Sequence, residues 1–215
     1  MMMSTNEGLY SSIERVVKEI DEFLKVKDEV REYMIKHSRD IIREAGYVVT
    51  DIHRGDMDSA SKRLVKLREY VREFLSKLKD HPELLYSGTV YGALSEYVEA
   101  EVFYSIINSM SIIDHKSISV HPIPYIQGLL DVVGELKRYI INLVRDKDLT
   151  KAWRLFRIAE IIYESCRGLD YPEALVPGLR RKVDIARNVI ESLRVFLTDI
   201  ETRLELIEGI NKLRR

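Results

Sequence analysis

Residues 124–145 read PYIQGLLDVVGELKRYIINLVR, and the spacing inside this stretch decides the fold. Leu129, Val133, Leu136, Ile140 and Leu143 recur three or four residues apart, as they must to share one stripe of an α-helix. Gln127, Asp131, Glu135, Arg138 and Asn142 fall on the opposite, polar stripe. His121-Pro122-Ile123-Pro124 suits the start of that helix, because each proline lacks an amide donor and restrains the residue before it. The same period runs outward in both directions. Upstream, Ile13, Val16, Val17, Ile20, Phe23 and Leu24, then Val30, Tyr33, Met34, Ile41, Ile42 and Ala45, predict a first helix, or a broken pair, ending at about Ile52. Arg54-Gly55-Asp56 stops it, and Asp56 or Asp58 can cap a second helix running to about Lys79. Asp80-His81-Pro82 breaks the chain, and a third helix spans Leu84 to Asn108, followed by a loop through His121. The quoted helix is then the fourth, from about Pro124 to Arg145. Asp148 or Thr150 caps a fifth that ends near Arg167-Gly168. Past Pro177-Gly178, the residues Leu179, Val183, Ala186, Ile190, Leu193, Leu197, Ile200 and Leu204 mark a long amphipathic helix to the C-terminus. With no strand signal and no internal repeat, the expected fold is all-α, a single-domain bundle of six or seven helices over residues 1–215.

Composition narrows the function classes. Hydrophobic residues make up 46% of the 215, enough for one substantial core. Lys plus Arg number 34 against 35 acidic residues, so any basic surface must come from local clustering. The single cysteine, Cys166, cannot form a disulfide within the chain and fits a reducing compartment. No apolar run reaches the roughly 18–20 residues that cross a bilayer, and Met1 to Gly8 lacks a signal-peptide apolar stretch. The expected location is cytoplasmic. Gln127 is the only glutamine in a highly charged chain, which leans towards a thermophilic source.

The chemistry lies in the carboxylates. On the third helix Glu96 and Glu99 share a face with Gly92, Phe103, Ile106 and Ile107. Two carboxylates in an apolar setting need a cation, either a metal ion or an Arg/Lys partner, or else they take up protons. A solvated acidic stripe is the plainer alternative. On the fourth helix Asp131 and Glu135 lie one turn apart, which by itself is an ordinary solvated face. Gly128 and Gly134 each cost about 1 kcal/mol relative to alanine inside a helix, so they ask for a close helix approach or room beside Asp131. If the two helices pack together, Glu96, Glu99, Asp131 and Glu135 can converge, and an all-oxygen set suits Mg²⁺ or Mn²⁺ rather than zinc. No histidine follows a glutamate by three residues, which argues against a di-iron bundle.

Glu96-Tyr97-Val98-Glu99-Ala100 followed by Gly128-x-x-Asp131-x-x-Gly134-Glu135-Leu136 resembles the translin/TRAX family. Ser38-Arg39-Asp40-Ile41 and Ile52-His53-Arg54 also look like family segments, and the similarity runs from about Val30 to Leu204. The resemblance implies binding of single-stranded RNA, with DNA as a second ligand. For the TRAX-type subunit it also implies endoribonuclease activity with Mg or Mn as cofactor. Glu96, Glu99 and Asp131 match the catalytic, metal-holding positions, and Glu135 matches a neighbouring acidic one. It further implies a homo-oligomer, a closed octamer with the acidic sites facing inward. A non-catalytic nucleic-acid-binding ring of the translin type is the alternative, and a helical scaffold whose acids merely form ion pairs is a third reading.

Arg39, His53 and Arg54 are candidate nucleic-acid contacts, since arginine suits bidentate contact with phosphate; Arg39 could instead pair with a buried carboxylate such as Glu96. Lys62, Arg63, Lys66, Arg68 and Arg72 spread around the second helix with acids between them and read as a solvated face. Arg180, Arg181 and Lys182 open the last helix, where cations oppose its dipole, and read as a plain surface cluster. The chain has no Gly-rich phosphate loop.

Overall fold

The computed structural model describes residues 3–213, with side chains from residue 7 onward. Seven helices follow one another: α1 (Met3–His53), α2 (Met57–Leu78), α3 (Pro82–Leu85), α4 (Gly88–Ser109), α5 (Pro122–Arg145), α6 (Leu149–Cys166) and α7 (Leu179–Leu213). No strand occurs among the described residues, and none of the helices is long and apolar enough to cross a membrane. The expected all-α bundle is what forms.

Local chemistry fixes most of the boundaries. Asp56 caps α2 by accepting from the Ser59 amide at 3.0 Å, and Asp148 caps α6 by accepting from the Lys151 amide at 2.9 Å. His121 Nδ1 accepts from the Ile123 amide at 3.3 Å, so α5 starts at Pro122, two residues ahead of the expected Pro124. Two expectations change. α1 is one unbroken helix of 51 residues, not a broken pair, and it starts well before Ile13, the first apolar position of the expected stripe. The third expected helix is two: Pro82 opens the one-turn α3, and Ser87 caps a new helix by accepting from the Val90 amide at 3.4 Å.

α4 sits at the centre, packed on α1 and α5, while α2 closes over α1 and α4; α6 and α7 cover the far side of α5. Its position explains why Val90, Ala93, Tyr97, Val98, Ala100, Val102 and Phe103 are all buried, around most of its circumference. Glu101 is buried among them with its side chain fully covered, and Arg68 of α2 meets it with two parallel N–H donors, each at 2.6 Å. Arg68 therefore belongs to the α2–α4 interface, not to the solvated face expected of it. The outer halves of α1 and α7 project past this core and keep large apolar side chains in solvent.

Gly128 sets the α4–α5 contact. A Cβ there would lie 2.4 Å from the Ser95 carbonyl oxygen and 2.8 Å from Val98 Cβ, so only a glycine lets the two backbones come this close. Gly134 is different, with nothing within 4 Å of its missing Cβ. The pair should separate in unfolding measurements at fixed protein concentration. Gly128→Ala is expected to destabilise by about 1–3 kcal/mol or more through overpacking. Gly134→Ala should be neutral or stabilise by up to about 1 kcal/mol. Equal effects from the two substitutions would contradict the close-approach account.

Candidate functional site

The tight α4–α5 contact determines what stands beside it. Glu96 and Glu99 are one turn apart on α4, Asp131 and Glu135 one turn apart on α5, and all four are partly buried. A chain of polar contacts pins the frame. Ser95 Oγ donates to Gln127 Oε1 at 3.2 Å, and Gln127 Nε2 donates to the Pro177 carbonyl at 2.5 Å. Ser95 precedes Glu96, Gln127 lies one turn before Asp131, and Pro177 lies just ahead of α7. Gln127, expected on a solvated stripe, is buried in this linkage.

Two cation-capable groups flank the carboxylates. Lys182, in the first turn of α7, donates from Nζ to both Asp131 oxygens, 2.6 Å from Oδ1. His53, at the end of α1, lies with Nε2 2.5 Å from Glu135 Oε2, and its side chain is only 5% exposed. Its ring packs between Phe103 and Tyr139, and Nδ1 is buried without a hydrogen-bond partner among the described residues. His53 is therefore turned inward onto Glu135 and offers no side-chain surface to a nucleic acid from this chain. Arg39 and Arg54 are exposed, with no side-chain ion pair or hydrogen bond among the described residues, so Arg39 does not pair with Glu96.

The proton affinities follow from this layout. Burial, then repulsion from Glu96, Asp131 and Glu135, pushes the Glu99 carboxyl up to about 8. Burial also raises Glu96, helped by Asp131 and opposed by Lys182. Asp131 lies above its ordinary value as well, because burial outweighs the Lys182 hydrogen bond. Glu135 alone is held low, chiefly by the hydrogen bond with His53. The cluster thus holds four carboxylates, of which Lys182 pairs with Asp131 and His53 with Glu135, leaving Glu96 and Glu99 without either.

An oxygen-only donor set of this kind fits a hard divalent cation. As the side chains stand, among the described residues no three His, Cys, Asp or Glu groups are drawn together as a metal-holding set. Lys182 holds Asp131 instead, and His53 holds Glu135. A pocket of about 290 Å³ opens beside them, walled by Glu99, Asp131, Lys182, Ile185 and Val189, with the bare Cα of Gly134 at its side. Lys182, expected in a plain surface cluster with Arg180 and Arg181, is instead turned onto Asp131; it stands one residue from Val183 and one turn from Leu179 and Ala186, on the edge of the buried stripe of α7. That position was the available signal.

The translin family model matches residues 29–194. A Methanocaldococcus jannaschii protein described as uncharacterised is 31% identical over 192 residues, covering 88% of this chain and 85% of its own. The translin-associated protein X homolog of Schizosaccharomyces pombe is 21% identical, covering 80% of each chain. Among solved structures, AfC3PO in complex with duplex RNA superposes with a TM-score of 0.81 at 27% identity, over 87% of this chain and 97% of that one.

Glu99 makes the site's charge measurable. Between its ordinary 4.5 and about 8, the folded chain holds a proton on Glu99 that the unfolded chain has released. Stability must then fall as pH rises through that window. In EDTA, Glu99→Gln should match the wild type near the bottom of the window and exceed it at the top, by on the order of a few kcal/mol. Urea titrations across the window provide the check, and a difference that stays constant with pH would rule the account out.

Proposed function

The chain belongs to the translin family, and from that premise we propose that it binds RNA and cleaves it with a divalent metal, Mg²⁺ or Mn²⁺, held by Glu96, Glu99, Asp131 and Glu135. One observation carries the reading: α4 and α5 bring four partly buried carboxylates to one place, Glu99 and Asp131 line a pocket there, and Lys182 and His53 each pair with only one of the four. The chemistry such an ion supplies when bound is polarisation of a phosphoryl oxygen and activation of a water or hydroxyl nucleophile. The chain's own residues do the rest. Glu99, whose carboxyl burial holds up to about 8, would have to give up its proton to serve as a ligand, so loading would release protons. His53 fixes the orientation of Glu135, and Arg39 and Arg54 supply exposed guanidinium groups for the phosphate backbone.

RNA as ligand draws support from AfC3PO, which is seen with duplex RNA. Single-stranded RNA is the form this chain is proposed to cut. The second reading, nucleic-acid binding without cleavage, is favoured by one observation, the Lys182 ammonium already seated on Asp131. A single assay separates them: labelled single-stranded and duplex RNA, incubated with Mg²⁺, Mn²⁺ or EDTA. Cleavage is expected with either metal and not with EDTA, and Glu99→Gln should lower it by orders of magnitude while the fold survives. A Glu99→Gln protein that cuts as fast as wild type would sink the metal-site reading.

Assembly is part of the proposal. The chain exposes 13941 Å², whereas a compact monomer of its 25.1 kDa exposes about 10,300 Å². The excess sits on the projecting halves of α1 and α7, where Leu9, Tyr10, Ile13, Phe23, Leu206 and Ile207 are all more than half exposed. Closed symmetric association is the usual way to bury such stripes, and an octamer is the expected form. Light scattering at micromolar concentration should give a multiple of the 25.1 kDa chain mass; a monomer would overturn it.

A further inference from the structure

We propose that Lys182 is a resident cation of the carboxylate cluster, competing with the divalent ion so that loading requires its ammonium to leave Asp131. The inference rests on the metal reading above and adds a control to the same site. Lys182 stands where a cation is least welcome, in the first turn of a helix whose N-terminal dipole repels positive charge. It is nevertheless held there, because Nζ donates to both oxygens of Asp131. Those are the oxygens a metal would need, so ammonium and metal cannot share them.

The seat is built into the backbone. Gly178 turns the chain into α7 at φ +73, a conformation that favours glycine. Its amide donates to Glu173 Oε1 at 2.6 Å, and the Pro177 carbonyl is gripped by Gln127 at 2.5 Å. The start of α7 is thus tied to α5 one turn before Asp131. Competition cannot then be relieved by sliding the helix, and only the flexible lysine stem can move. It has somewhere to go: the pocket beside it runs along Ile185 and Val189, with no side chain at Gly134 to close it. An aliphatic stem can lie on such apolar walls while its ammonium reaches water. A displaced Lys182 also leaves Asp131 free to join Glu96 and Glu99, which would supply the gathered set missing while the ammonium is in place.

The test uses the full chain, stripped with EDTA and titrated with MnCl₂ by isothermal titration calorimetry, as wild type, Lys182→Met and Lys182→Arg. Removing the ammonium should tighten Mn²⁺ binding by about tenfold or more, whereas the arginine variant should stay within roughly threefold of wild type. Metal-free Lys182→Met should also melt lower than wild type and gain more from Mn²⁺. If Lys182→Met does not fold, Lys182→Gln, neutral but able to donate to Asp131, takes its place. Equal or weaker Mn²⁺ binding by the neutral variant overturns the competition while leaving the metal reading intact. Absence of Mn²⁺ binding in every protein overturns both.

Discussion

The structure depends on one steric fact: the backbones of α4 and α5 touch at Gly128. The Ser95 carbonyl occupies the space where any other residue would carry its Cβ. Withdraw α5 by the width of a methyl group and three things change together. Ser95 loses its reach to Gln127, Gln127 loses the Pro177 carbonyl, and the two carboxylate pairs separate. Packing density and chemistry are the same constraint here, because the residues that line the contact alternate along each helix with those that face the pocket.

Against that fixed frame, the charges are balanced unevenly. Glu135 is held low by His53, Asp131 is drawn both ways by burial and Lys182, and Glu99 resists ionisation up to about 8. Burying like charges costs stability, and a sequence selected for stability alone would place leucine at such positions, as it does around them at Leu94 and Leu130. The pair Arg68–Glu101 makes the contrast. That carboxylate is fully covered and answered by a bidentate guanidinium, an interaction that is complete within the chain. The cluster at Glu99 is left short of positive charge.

How much of this could be read in the sequence follows from the range of each interaction. Helix positions came through well, since apolar period and capping residues such as Asp56 and Asp148 act over a turn or two. Ser87 was passed over because a serine between two helical segments looks the same whether or not its oxygen accepts a backbone amide. The acids of α4 stood out from their apolar neighbours, whereas those of α5 read by themselves as an ordinary solvated face and were singled out by the glycines beside Asp131 and by the family resemblance. Their partners were not. Lys182 lies 51 residues from Asp131, and His53 lies 82 from Glu135. The place of Lys182 at the edge of a buried stripe signals that it can turn inward, but no local pattern names Asp131 as its partner. His53 and Arg54 are adjacent, yet the last residue of α1 turns onto Glu135 while the first residue of the following turn is exposed.

The uncovered half of α1 has a consequence for how order is distributed along the chain. An isolated helix gains little from its own hydrogen bonds, and most helical stability comes from the face it buries. From Leu9 to about Val26 that face meets no other part of the chain, while from Met34 to Ile52 it lies in the core. A single covalent helix therefore joins a segment stabilised by its own chain to one that, in the proposed assembly, would draw its amide protection from neighbouring chains. Along α1, hydrogen exchange would then gauge protein concentration at one end and intrinsic folding at the other.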